Sequence, residues 1–187
     1  MKNIFVIILL AMMSGAQAQV IIGDATGTAA NKTSVLLEFA AGNKGIIVPY
    51  VRTLPTLNAL VGGAIILDAT TPTLARMKFY NGTTWIDLSG QDGNLVSPVD
   101  YLTIQPDATV APETVASKTI IGASSSSADG VLVLESNTKA MVLPQVTDVQ
   151  LIPSPSPGMM VYVTGVNPTY NKRLAVFNGS KWSFWKP

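Results

Sequence analysis

The feature that most constrains this chain is that its sequence is written twice. Ile21-Ile22-Gly23 recurs as Ile120-Ile121-Gly122, 99 residues on, and Leu37-Glu38 recurs as Leu134-Glu135, 97 residues on. Lys44-Gly45-Ile46-Ile47-Val48-Pro49-Tyr50-Val51 matches Lys139-Ala140-Met141-Val142-Leu143-Pro144-Gln145-Val146 at an offset of 95. Tyr80-Asn81-Gly82-Thr83-Thr84-Trp85 then matches Phe177-Asn178-Gly179-Ser180-Lys181-Trp182, back at 97. The offset changes in polar, turn-rich stretches, 27–31 against 124–127 and 70–73 against 165–169, where a duplicated unit tolerates insertion. Module 1 therefore occupies residues 19–90 and module 2 residues 119–187, joined by a connector over 91–118 that carries Pro98, Pro106 and Pro112.

Each module has four β-prone segments. They are 34–39, 45–48, 64–68 and a hairpin over 76–88 in the first copy; 130–135, 140–143, 159–163 and 173–185 in the second. The 45–48 and 140–143 segments each end at a proline, Pro49 or Pro144, which has no N–H to give a ladder. Asn81-Gly82 and Asn178-Gly179 predict two-residue type I′ turns, whose central residues both need positive φ. Thr53 and Asp148 are placed to cap one or two helical turns. The fold class is mainly β: two tandem small antiparallel modules, each closed by an Asn-Gly hairpin, with short helical turns. The connector reads either as an extended link with one short strand at Tyr101-Leu102-Thr103-Ile104 or as part of a continuous structure, and the sequence leaves both open.

Composition excludes much chemistry. The chain contains no Cys and no His, which removes disulfides, cysteine nucleophiles, histidine bases and His or Cys metal ligands. Neither a cofactor nor a metal site is expected, and no catalytic residue is assigned. Only 12% of residues are charged and the formal net charge is +1. Such a balance, with no basic cluster, argues against nucleic acid as a partner. Glu38 and Glu135 are matched acids at strand ends, expected to face solvent or to bond Lys44 and Lys139.

At the N-terminus, Lys2 precedes a ten-residue apolar run, residues 4–13, and Ala16-Gln17-Ala18. This is the pattern of a secretory signal, residues 1–18, with Gln19 as the mature start. The run is too short to span a bilayer, and the mature chain has no other candidate transmembrane segment. An exported protein is expected, at the cell surface, extracellular or periplasmic.

The order Lys-Gly-apolar-Pro, a Thr-led segment, a Gly-led strand and Tyr-Asn-Gly-x-x-Trp resembles a repeat of secreted surface and phage-tail-fibre-like proteins of the Bacteroidota. Lys44 to Trp85 carries it once and Lys139 to Trp182 again, with Ala140 and Phe177 departing from the pattern. The resemblance implies an extracellular, structural or adhesive role without catalysis. Modules of about seventy residues are marginal without disulfides or metal, so they should pack on each other or associate. Self-association or docking onto an envelope protein is the leading expectation; a carbohydrate-binding module pair is the alternative. Candidate ligand or partner contacts are Trp185, Phe184, Trp182, Trp85 and Tyr80. Trp85 and Trp182 hold matched positions, which favours packing, and unmatched Trp185 is the first choice for an exposed contact.

Overall fold

The computed structural model describes residues 19–40, 42–55, 60–104, 117–128, 130–165 and 172–185. The signal segment, and residues 56–59 of the Thr53-led segment, lie outside these. Module 1 contributes β1 (Val20–Ile22), β2 (Val35–Phe39), β3 (Ile46–Ile47), β4 (Tyr50–Val51), β5 (Ile65–Asp68), β6 (Arg76–Tyr80) and β7 (Trp85–Asp87). The connector adds one helical turn, α1 (Tyr101–Ile104). Module 2 repeats the order as β8 (Thr119–Ile121), β9 (Leu132–Leu134), β10 (Ala140–Val142), β11 (Gln145–Val146), β12 (Met159–Val163), β13 (Arg173–Phe177) and β14 (Trp182–Phe184).

The protein is mainly β, as expected, but the pairing is mixed. β5-β6-β7 and β12-β13-β14 are antiparallel meanders. The pairs β1·β2, β8·β9, β4·β5 and β11·β12 are parallel. Parallel pairing follows from the duplicated Ile-Ile-Gly blocks, which form β1 and β8 and return to β2 and β9 through loops long enough to reverse the chain twice. These two strands, and the two-residue strands after each proline, escape a search for longer apolar runs.

The hairpins also differ in detail from the expected two-residue turns. Tyr80 pairs with Trp85 and Phe177 with Trp182, leaving four-residue loops. Gly82 and Gly179 have positive φ, +96° and +99°, whereas neither asparagine does. The Asn81 side-chain oxygen instead accepts from the Thr83 and Thr84 N–H groups at 2.9 and 2.8 Å. Asn178 does the same with Ser180 and Lys181 at 3.0 and 2.9 Å. Asparagine here works as a local acceptor that stands in for a backbone carbonyl.

The connector is fastened to both modules. Gly93 exchanges backbone bonds with Ala75, and Asn94 N–H donates to Ser180 Oγ at 2.9 Å. The expected strand at 101–104 is a helical turn instead, because the Asp100 carboxylate accepts from the Leu102 and Thr103 N–H groups and caps it. Asp148 caps a single 3₁₀ turn, Val149–Leu151, accepting from Gln150 N–H at 2.9 Å, as the sequence suggested.

One hydrophobic core crosses the modules: Leu67, Ala69, Ala75 and Met77 from module 1, Leu95 from the connector, Met160 and Val176 from module 2. A second lies within module 2, around Val146, Val161, Val163 and Ala175. The undersized module is completed by its neighbour. Leu95 is fully buried in that shared core, so Leu95→Ala should cost about 2–5 kcal/mol in chemical denaturation. Val99→Ala in the same connector, at an exposed position, should stay within about 0.5 kcal/mol.

Candidate functional site

What this molecule presents is an interface built from exchanged strands. In each copy a short apolar segment runs to a proline and changes sheets there. β3 pairs antiparallel with β12 of module 2, Ile47 opposite Met159 and Ile46 opposite Met160. After Pro49 the chain enters β4, which pairs with β5 of its own module, and the Pro49 carbonyl accepts from Leu67 N–H at 2.9 Å. In the second copy, β10 pairs parallel with β2 of module 1. After Pro144, β11 joins β12 of its own module, and the Pro144 carbonyl accepts from Tyr162 N–H at 2.9 Å. Each proline lacks the N–H that would prolong the first ladder but keeps the carbonyl that begins the second.

Because the modules match, the same position can be compared in two settings. Val35 of β2, covered by β10, is 4% exposed, whereas its counterpart Leu132 of β9 is 44% exposed. Among the described residues β9 pairs only with β8. A β-carbon added at Gly158 would lie 3.1 Å from the Val48 carbonyl oxygen of module 1; at the matched Gly63 nothing lies within 4 Å. Val48 N–H donates to the Gly158 carbonyl at 3.1 Å, and the Tyr50 hydroxyl donates to the Pro157 carbonyl at 2.7 Å. Burial, with a smaller contribution from Tyr101, pushes the Tyr50 hydroxyl up to about 12. β10, the counterpart of β3, has no partner equivalent to Met159–Met160 among the described residues, and it borders an open apolar groove of about 290 Å³, lined by Met141, Val142, Leu143, Gln145 and Tyr162. The module 2 hairpin turn is covered by the connector, with Asn178 fully buried and its Nδ2 donating to the Gln91 carbonyl at 2.8 Å; the Asn81 turn is exposed.

Glu38 fixes the loop beside this interface. It is fully buried, contrary to the expectation of a solvent-facing acid, and its partner is Lys32 rather than Lys44. Lys32 Nζ meets Oε2 at 2.6 Å, while Oε1 accepts from Ala29 N–H at 2.6 Å and from the Thr28 hydroxyl at 2.9 Å and its N–H. Burial pushes the carboxyl up, but the Lys32 ammonium and the three donors from Thr28 and Ala29 outweigh it and hold it at about 2. Glu135 differs too: it accepts from the Ser126 hydroxyl, while Lys118 reaches the Ser126 and Ala128 carbonyls. A nearby Ser/Thr-rich loop supplies donors to each acid, joined at Glu38 by Lys32, whereas at Glu135 the donor is the Ser126 hydroxyl.

The aromatic candidates divide into two groups. Tyr80 packs on Trp85 with ring centroids 5.4 Å apart, and Phe177 on Trp182 at 5.3 Å, as matched cross-strand pairs. Phe184 is 42% exposed with the Arg173 guanidinium over its ring at 5.3 Å, and Trp185 is 52% exposed. These five residues do not converge on one site. The open strand edges have no signal in the sequence, because a strand edge carries no side-chain signature; they lie in the difference between the two copies in three dimensions.

Residues 120–186, essentially the whole of module 2, match the family model described as a phage tail like trimerisation region. That match supports a phage-tail-fibre-like relationship for this part of the chain. No curated protein and no solved structure matches. No helix among the described residues is long and apolar enough to cross a membrane.

The Glu38 carboxyl has a direct consequence for acid stability. Its folded pKa of about 2 lies below the ordinary 4.5, so its contribution is complete above pH 4.5 and is lost as pH falls from there toward 2. Glu38→Gln should lower stability at pH 7 by about 2 kcal/mol. It should also flatten the decline of melting temperature between pH 5 and 2, as read by circular dichroism.

Proposed function

We propose that the protein is an exported, non-enzymatic structural component of a fibre-like assembly at the cell surface or outside the cell, and that it works by associating with itself. The observation that carries this reading is the module 2 match to a trimerisation region, on a chain whose two modules already bind each other by strand exchange. A module that needs a neighbour to complete its core is suited to multimer building rather than to isolated solution chemistry. The secretory pattern of residues 1–18 supports export, and a sparsely charged, Thr/Ser/Asn-rich surface suits an extracellular structural role. An adhesive role follows if the assembly displays the exposed end of module 2. Light scattering on the purified mature chain tests the association: a multiple of the chain mass, three chains being the expected number, supports it, and a monomer at micromolar concentration overturns it.

The exposed Phe184 and Trp185 favour a second reading, in which this end of module 2 stacks against a sugar ring or a partner protein. Glycan-array binding that is lost in Trp185→Ala, with the mass unchanged, would support it. Binding that persists in the variant, or no binding by the parent chain, would remove it.

A further inference from the structure

Within the chain, module 1 meets module 2 through two strand pairings that follow one rule. The β2-type strand of the first module takes the β3-type strand of the second, which is β2·β10. The β3-type strand of the first takes the β5-type strand of the second, which is β3·β12. Applying that rule once more, with module 2 as the first partner, calls for a β3-type strand on β9 and a β5-type strand beside β10. Neither partner is present among the described residues. β9 has one neighbour, β8, and β10 has one, β2; Met141 and Val142 of β10 also line the apolar groove.

The complementary surfaces are on module 1. Among the described residues β3 is paired on one edge only, by β12, and Ile47 is 53% exposed. The leading end of β5 is open at Gly63, where its counterpart Gly158 is covered. Along β9, Thr119 N–H donates to the Val131 carbonyl and Glu135 N–H to the Ile121 carbonyl, so residues 131, 133 and 135 face β8. Leu132 and Leu134 thus point their backbone groups away from β8, a row of donors and acceptors with no strand partner among the described residues, and with exposed Val131 and Leu132 beside it.

We infer that module 2 of one chain binds module 1 of a second copy, with the free edge of β9 adding to the free edge of the copy's β3, and β10 adding to the leading end of its β5. This rests on the self-association reading above and names its contact. Every intrachain pairing survives, because only unused edges are consumed. The register follows from the in-chain pairing, where Ala140, Met141 and Val142 oppose Val35, Leu37 and Glu38. By the repeat, Gly45, Ile46 and Ile47 of the copy oppose Leu132, Leu134 and Glu135. Such a contact is heterologous: it joins two different surfaces, and it ends only by closing into a ring. The trimerisation-region match points to closure.

The chain has no cysteine, which allows a clean test. Full-length chains bearing Ile47→Cys and Glu135→Cys are co-expressed with different tags and oxidised. The expected result is a disulfide-linked product carrying both tags, absent when either variant is paired with the parent. Leu132→Lys, which places a charge on the β9 edge at an exposed position, should weaken self-association by about tenfold or more in sedimentation while leaving the circular dichroism spectrum unchanged. A multimer that gives no 47–135 crosslink and ignores Leu132→Lys overturns this contact and leaves the assembly reading standing. A chain that is monomeric at every concentration overturns both.

Discussion

The fold depends on the hydrogen bonds of two short apolar strands that leave their own module. β3 and β10 are only two and three residues long, yet each joins a sheet belonging to the other copy before a proline returns the chain home. β3 sets Ile46, and the chain just after it Val48, against the larger core, which draws on both modules and the connector. The backbone groups gain satisfied partners and the apolar side chains gain a second wall in the same step, so polar satisfaction and burial are not separable here. That coupling explains how modules of marginal size, lacking disulfides, form an ordered chain.

Much of this was legible in the residues, and the illegible part has a definite cause. The duplication, the long strands and the Asp148-capped turn follow from side-chain pattern and local chemistry. Tyr101–Ile104 did not, because its β-prone composition competes with Asp100, whose carboxylate satisfies two N–H groups that a strand would have left open. Glu38 departs from its expectation for a similar reason: the matched position suggests a shared lysine, whereas the unmatched loop supplies Lys32 six residues away. Periodicity reports which side chains are apolar. It carries no information about which backbone edge faces which, and so the exchange of strands between copies has no trace in the sequence.

The polar residues explain the low charge. Asn81, Asn178, Asp24, Asp68, Asp87, Asn94 and Asp100 each accept from backbone N–H groups two or three residues on, so they serve as loop fasteners. Of the carboxylates that also meet cations, Asp68 faces Lys78 at 2.6 Å, and Asp87 and Asp92 share Arg76. Burial raises the Asp68 and Asp87 carboxyls, and their cations and loop N–H groups outweigh it, leaving both below the ordinary range. These groups act within their own loops and hairpins, holding them in place.

Sequence identity between modules has a further structural consequence. Two identical surfaces facing each other about a two-fold axis would consume each other and stop. The modules here instead meet by unlike surfaces, β2 with β10 and β3 with β12, so whatever module 1 offers on one side, module 2 must offer again unfilled. A protein that exposes such edges normally blunts them with charge, proline or a covering loop. The connector does cover the Asn178 turn, yet the β9 edge carries Val131 and Leu132 and no lysine. An edge left apolar and unguarded, on a chain where the same edge in the other copy is filled by a strand of known register, is better explained as a vacancy for a repeat of that contact than as an accident of duplication.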